Sequence, residues 1–405
     1  MSLPTDPDQP ILRVPGIRAL VWMSLCGFAG YALLLPTAPL WAIHGGADEA
    51  GAGLVNAVLM AATVAFQTTV PWALRRLGWR STLVAGVLLL GLPSLALVLT
   101  DQLGWILAAS AVRGAGFAVV TVCGATAIAE LVGAARRGRA IGVYGLAVAA
   151  PQVFLTPSAA WVAESVDFRV VFVVGALPAL AVPFAAALGN RLDAVAHGTP
   201  ADGQGPGGAE RSPGRARLLL PLVLPSLVLL AVTTPGGALL TFAPQLGYGA
   251  LAAMAGLLGL TVAAALSRWL VGGLADRYGP SRFVPPLLLL CAAALVLCGW
   301  SITGSRPGAA WLVLGMTLVG VSYGSLQNLT LVTAFAAVPD RERSVASAVW
   351  NIGFDTGTGL GSLVVGFIAA GTSFTVGLLT TAALCVVVAA VAFLSARTAG
   401  RRAAQ

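Results

Sequence analysis

The chain has 405 residues, of which 58% are hydrophobic and only 9% are charged, and its formal net charge is +8. A soluble domain carries about 25% charged residues, so this chain has too few charged side chains to cover the surface of a globule of its size. The composition excludes a soluble enzyme, a nucleic-acid-binding domain and a disordered protein, and it indicates a polytopic membrane protein.

Apolar segments that are long enough to cross a membrane recur along the whole chain. A transmembrane helix needs about 20 mostly apolar residues. The segments that meet this requirement are 19–43, 50–74, 81–100, 102–129, 140–163, 170–190, 218–267, 283–305, 307–339 and 344–396. Two of them, 218–267 and 344–396, are long enough for two spans each, with turns near 245–249 and 371–373. We therefore predict an all-α integral membrane protein with twelve transmembrane helices.

The arginines predict the orientation of these spans. Most of them fall in the segments 1–18, 75–80, 136–139, 191–217, 277–282, 341–343 and 397–405. The loops on the opposite side carry acidic residues, namely Asp48, Glu49, Asp101, Glu164 and Asp167. Since short loops rich in arginine remain in the cytoplasm, both termini are predicted to be cytoplasmic tails, at 1–18 and 397–405, of a protein in the cell membrane.

The first half of the chain contains one charged residue deep inside a span. Arg113 lies near the middle of span four, where an arginine costs about 2.5–3.5 kcal/mol on insertion scales. We therefore expect Arg113 to face water or a partner. Its side chain either contacts a substrate or takes part in proton coupling, or it ties neighbouring helices together.

One segment has a different composition from the rest. Residues 191–217 are rich in Gly, Pro, Ala and charge and have no apolar period, which is typical of a flexible linker. This cytoplasmic linker separates six predicted spans in 19–190 from six in 218–396. Segments 130–142 and 336–348 are also similar to each other, which indicates a duplicated six-span unit. Parallel repeats of this kind are typical of transporters.

The strongest motif lies between spans eight and nine, where residues 272–279 read GGLADRYG. Gly272 and Gly279 permit close helix packing and a tight turn, and Asp276 with Arg277 can link neighbouring helices at a cytoplasmic gate. This motif resembles the G-x-L-x-D-R-x-G signature of the major facilitator superfamily. Arg268, two turns earlier, is interpreted as a further gate or packing residue.

The corresponding segment of the first half, 71–78, departs from that signature. Pro71 replaces the first glycine, and Arg75 occupies the acidic position. The usual gate pairing therefore cannot form there. Glu130, at the cytoplasmic end of span four, is the expected replacement partner for Arg75 or Arg76.

The resemblance implies that spans one, four, seven and ten line a central cavity. The candidate lining residues are Tyr31, Thr233, Thr234, Tyr323, Gln327 and Asn328, although each is equally well explained as hydrogen bonding between helices. Arg113 resembles the arginine motif of proton-coupled members. Span five has Gly142, Gly145 and Pro151 but lacks the Gly-Pro pair of antiporters, so the support for export is partial.

The second half also contains an acidic residue deep inside a span. Asp355 lies about ten residues into span eleven, with Asn351 one turn earlier. A carboxylate in a medium of low dielectric constant takes up a proton more readily than one in water. Asp355 and Asn351 are therefore candidates for proton coupling, and the alternative is a structural hydrogen bond between helices.

These features predict a secondary active transporter that exports a small organic molecule, a drug or a metabolite, in exchange for protons by alternating access. The alternative is a proton-coupled uptake permease for a sugar or an organic acid. A non-transporting receptor or a membrane enzyme is disfavoured, because no catalytic constellation is present. No phosphate-binding G-x-x-x-x-G-K-[ST] motif occurs. We expect no cofactor, no metal site and no nucleic-acid partner, and a protein that functions as a monomer in the bilayer.

Overall fold

The structure, a computed structural model, describes residues 10–133, 136–198, 219–303, 308–339 and 342–403. Within these ranges 12 helices are long and apolar enough to cross a membrane. In the first half they are α1 (Ile17–His44), α2 (Glu49–Gln67), α3 (Val70–Ala96), α4 (Leu103–Leu131), α5 (Arg137–Ser165) and α6 (Phe168–Val195). In the second half they are α7 (Leu220–Gln245), α8 (Gly249–Tyr278), α9 (Pro280–Ser301), α10 (Ala309–Ala336), α11 (Arg343–Gly371) and α12 (Phe374–Ala403). The predicted all-α fold with twelve transmembrane helices is confirmed.

The boundary between α2 and α3 differs from the expectation. The second span was predicted to run to residue 74, but α2 ends at Gln67 and α3 begins at Val70. Residues 75–78, expected in a cytoplasmic segment between spans, are therefore helical up to a kink at Gly78, whose φ of 77° favours glycine. A transmembrane helix can extend beyond the hydrocarbon core of the bilayer and carry arginines at its end. A search for segments without charge therefore misplaces the ends of such a helix.

The predicted linker also begins later than expected. The helical segment Val182–Gly198 runs beyond the apolar span of α6 and continues past residue 191. The Asp193 carboxylate there accepts hydrogen bonds from the backbone N–H groups of Trp79 (2.9 Å) and Arg80 (3.2 Å). These donors are left free where α3 resumes after the kink at Gly78. The remainder of the predicted linker, 199–217, lies outside the described residues.

The chain is grouped by its contacts into two compact units that do not follow the linear order. Unit 1 contains Met1–Leu34 and Ala61–Gly208, and unit 2 contains Leu35–Met60 and Ala209–Gln405. The second part of α1 and the first part of α2 thus belong to the same unit as the C-terminal half. The division into six-helix halves at 191–217 stays a prediction from the sequence.

Glycines allow the helices of each unit to approach closely. In unit 1, Gly116 of α4 lies against the α3 backbone at Gly86 and Leu90. In unit 2, Gly320 and Gly324 of α10, one turn apart, lie against the α8 backbone at Leu260 and Ala264. Small residues at such positions strengthen van der Waals packing between membrane helices, where no hydrophobic effect drives the association.

Two prolines of unit 2 create hydrogen-bond acceptors that other helices use. Proline has no N–H, so the carbonyl four residues earlier loses its helical partner. Pro39 frees the Leu35 carbonyl, which accepts from Nδ2 of Asn56 at 2.8 Å. Pro235 frees the Ala231 carbonyl, which lies 3.2 Å from Sγ of Cys385 on α12. Both freed carbonyls thereby form contacts between helices.

Candidate functional site

A buried polar cluster lies in unit 2 around Tyr323 of α10. Tyr323 is 8% exposed, Asp355 of α11 is 5% exposed and Gln327 is 1% exposed. The Tyr323 hydroxyl lies near the side chains of Gln327 and Thr358 and within electrostatic range of Asp355 and Arg268. Three helices, α8, α10 and α11, therefore place polar or charged groups around one hydroxyl.

Helical spacing explains why these residues meet. Tyr323 and Gln327 are four residues apart on α10, and Asp355 and Thr358 are three apart on α11, so each pair shares a helix face. Gly236 of α7 lies against the Tyr323 ring, at a position where any Cβ would overlap it. The ring is thus held in place while its hydroxyl reaches the polar side chains.

The amide of Gln327 is the unsatisfied member of the cluster. Its Nε2 and Oε1 are both buried without a hydrogen-bond partner in the described part of the chain. The amide is therefore close to the Tyr323 hydroxyl without reaching ordinary hydrogen-bond geometry. A buried polar group left in this state costs about 1–3 kcal/mol, which a bound ligand or water would recover.

Aromatic side chains of α11 border this cluster. The Phe354 ring centroid lies 6.2 Å from that of Tyr323 and 5.6 Å from that of Trp350. Trp350 donates from Nε1 to Oγ1 of Thr330 on α10 at 3.1 Å. Asp355 thus sits on a helix that is fixed against α10 by ring contacts and by one side-chain hydrogen bond.

Arg113 of α4 occupies a different environment, in unit 1. It is 1% exposed, its Nη2 donates to the Gly30 carbonyl at 3.3 Å, and its Nε has no hydrogen-bond partner. Nearby on α1, Tyr31 stacks on Phe117 with ring centroids 4.4 Å apart. Arg113 forms no ion pair with any described residue, so its buried charge is compensated by one long hydrogen bond.

The other predicted lining residues are mostly bonded within or between helices. Thr233 and Thr234 donate to the Leu229 and Leu230 carbonyls of their own helix, at 2.9 and 2.8 Å. The Asn328 amide donates to the Arg268 carbonyl at 2.7 Å, which ties α10 to α8. Asn351 likewise donates to the Ser347 carbonyl at 2.9 Å. The structure thus gives these four polar side chains backbone partners, whereas Gln327 has none.

The predicted gate segment forms the end of α8. Gly279, with a φ of 83°, ends the helix, and its N–H donates to the Ala275 carbonyl at 2.9 Å. Arg277 is exposed and its guanidinium lies 5.3 Å from the centre of the Tyr278 ring. Gly272 faces the Asn328 amide. The Asp276 side chain lies outside the described residues, and the Arg268 side chain is exposed.

The replacement pairing expected in the first half is absent from the structure. Glu130, Arg75 and Arg76 are all exposed, and none of them forms an ion pair within the residues that the structure describes. An ion pair between exposed side chains contributes only about 0–1 kcal/mol, so little favours its formation there. The turn at this end of α3 is instead held by Asp193.

Sequence reasoning missed Phe354, Trp350, Asn56 and Asp193. Phe354 and Thr358 are four residues apart, which was a usable signal that α11 presents this face to Tyr323. Asn56 is a lone amide in an apolar helix, where polar side chains commonly bond between helices. Asp193 was assigned to the linker by composition alone. No group of three or more metal-ligating side chains occurs among the described residues.

Comparisons with known proteins agree with this architecture. A profile described as Major Facilitator Superfamily matches residues 20–337 and 227–404. The fold is similar to a bacterial homolog of the human lysosomal transporter Spinster in its inward-facing, occupied conformation, with a TM-score of 0.76, 17% identity, and 96% of this chain and 98% of that chain covered.

Two further solved structures share the fold. A point variant of the peptide transporter POT in complex with alafosfalin has a TM-score of 0.77 at 15% identity, with 98% of this chain and 97% of that chain covered. A point variant of the nucleoside transporter NupG has a TM-score of 0.67 at 14% identity, with 94% and 99% covered. No curated protein sequence matches this chain.

Proposed function

The chain belongs to the Major Facilitator Superfamily, and on that premise we propose that this multi-pass membrane transporter exports a small organic molecule in exchange for protons. Family and fold identify a transporter and not an enzyme. The direction of transport, the coupling ion and the substrate class belong to the proposal. The proposal also includes the location in the cell membrane, the cytoplasmic position of both termini and function as a monomer.

The observation that carries the proposal is the burial of Asp355 beside Tyr323. Asp355 is 5% exposed and lies inside a membrane-spanning helix. A charged carboxylate is costly in that position, and protonation removes the cost. A helix that exposes Asp355 to one side of the membrane and then to the other would therefore carry a proton at each cycle.

Arg113 supports the same mechanism from unit 1. Its charge is buried and has no acidic partner among the described residues. Charged side chains retained inside membrane helices commonly mark substrate or proton pathways. We assign Arg113 to substrate contact, and Asp355 with Tyr323 and Gln327 to proton coupling. In the predicted orientation, Asp276 and Arg277 belong to the cytoplasmic gate.

The test is transport in inverted membrane vesicles with an imposed acid interior. We expect a panel of amphipathic drugs and organic acids to include a compound that wild-type vesicles accumulate as protons leave the lumen. Asp355→Asn should abolish this accumulation but retain downhill exchange, because the neutral amide binds no proton yet leaves the helix packing intact. The matched control is Glu164→Gln, at an exposed acid outside the cluster.

Two results would contradict the proposal in different ways. Accumulation only in right-side-out vesicles with an acid exterior would indicate the uptake permease. Normal accumulation by Asp355→Asn would remove Asp355 from coupling and make its contacts structural.

A further inference from the structure

A cavity away from the Tyr323 cluster lies at one end of unit 2. Its volume is about 240 Å³, and it opens between the start of α7, the start of α9 and the ends of α10 and α12. It is lined by Leu224, Pro225, Val228, Val284, Thr330 and Ala392, together with residues at its rim. All four helix ends lie on the side predicted to be cytoplasmic.

The wall of the cavity is apolar even where threonines contribute to it. Thr330 and Thr333 of α10 both donate from Oγ1 to carbonyls of their own helix, each at 2.7 Å. Their hydroxyls are satisfied there, so the threonines add little polar surface to the cavity. Such a wall suits a hydrocarbon chain better than water, which needs two to four polar partners.

The rim of the cavity carries positive charge. Arg282 lies between the lining residues Ser281 and Val284, and Arg397 directly follows the lining residue Ala396. Both arginines are exposed, and neither forms an ion pair with a described residue. The Arg397 guanidinium lies 4.3 Å from the centre of the Phe393 ring, a contact that leaves its N–H donors available to a further group.

We propose that this cavity binds an anionic phospholipid of the cytoplasmic leaflet. The acyl chain enters the apolar cavity, and the phosphate lies between Arg282 and Arg397. Basic pockets between transmembrane helices on the cytoplasmic side recognise anionic headgroups in this way. The inference rests on the predicted orientation but not on the direction of transport or on proton coupling.

The test uses the full-length protein in vesicles and the fluorescence of Trp350, which is hydrogen-bonded to the lining residue Thr330. Brominated phosphatidylglycerol and brominated phosphatidylcholine are compared as quenchers at equal mole fractions in an unbrominated background. The difference between the wild type and Trp350→Phe isolates the signal of this tryptophan. We expect quenching by phosphatidylglycerol to saturate at an approximately thirtyfold lower mole fraction, the preference that two surface arginines supply.

Two variants and one control decide the outcome. The double variant Arg282→Gln/Arg397→Gln should lose the preference for phosphatidylglycerol, whereas the control Arg75→Gln/Arg76→Gln, at exposed arginines on the same predicted side, should retain it. Ala396→Phe, which fills the cavity, should reduce quenching by both lipids. Size-exclusion profiles of each variant verify folding. Equal quenching by the two lipids, or a preference that survives in the double variant, would overturn the proposal.

Discussion

At the scale of single residues, Arg113 and Asp355 hold their charges in contrasting ways. Arg113 has one 3.3 Å hydrogen bond to a backbone carbonyl and an unsatisfied Nε. Asp355 lies beside the Tyr323 hydroxyl and within a set of polar side chains. The surroundings of Arg113 compensate little of its desolvation, so its retention is better explained by transport than by stability.

This contrast predicts that Arg113→Met preserves the stability of the protein but reduces its transport activity. Methionine fills similar apolar volume and removes a cation whose insertion costs about 2.5–3.5 kcal/mol. We therefore expect the thermal unfolding temperature to stay equal or to rise, while substrate transport and exchange both fall at least tenfold. Scanning fluorimetry and vesicle flux measure the two quantities, with Arg80→Met as the exposed control. A marked fall in unfolding temperature would instead identify Arg113 as a structural tie.

At the scale of helices, Asn56 connects α1, α2 and α7 of unit 2. Its Nδ2 lies 2.8 Å from the Leu35 carbonyl and 2.9 Å from Oγ1 of Thr241. Gly53 on the same helix packs against the α11 backbone at Ser362, and Gly366 of α11 packs against Glu49. The Asn56 amide and the two glycines thus fix residues 35–60 to helices of the second half.

We predict that Pro39→Ala partly compensates for Asn56→Ala. The single change Asn56→Ala leaves the buried Leu35 carbonyl unsatisfied, at a cost of about 1–3 kcal/mol. Alanine at position 39 restores an N–H that can donate to this carbonyl within α1. The double variant should therefore lose less stability than the sum of the two single variants.

Thermal unfolding of the four proteins in a double-mutant cycle measures this coupling. Additive losses would show that the Leu35 carbonyl is not the group that Asn56 satisfies in solution. Thr241→Val serves as the control, since it removes the other partner of the amide and leaves that carbonyl untouched.

The limits of sequence reasoning are clearest for these same helices. The number of spans was predictable because the bilayer requires long apolar segments, and the turns after Gln245 and Gly371 lie where they were predicted. The end of α2 and the start of α3 were not predictable from charge, because arginines at a membrane interface are compatible with a helix. The surroundings of Tyr323 depend on the rotation of α11 against α10. The spacing of Phe354 and Thr358 indicates that they share a face of α11, but it does not determine which helix that face contacts.

At the scale of the whole molecule, the arginine distribution predicts which side of the membrane each loop occupies. Segment 191–217 connects the two predicted halves and holds several arginines. Protease added to intact cells should leave this segment uncut. Protease added to inverted vesicles should cut within it and divide the chain into two fragments of similar size. Cleavage in intact cells would reverse the orientation and, with it, the leaflet assigned to the lipid.

The hydrogen bond between Asn56 and Thr241 also has a consequence for biosynthesis. The two residues are 185 positions apart. At a synthesis rate of roughly 5–20 residues per second, Asn56 waits about 10–40 seconds for its partner to be made. Until then the Asn56 amide has the Leu35 carbonyl of α1 as a partner, but its second N–H lacks the Thr241 hydroxyl. A nascent chain that stalls before α7 therefore presents a polar defect that membrane quality-control proteases can recognise.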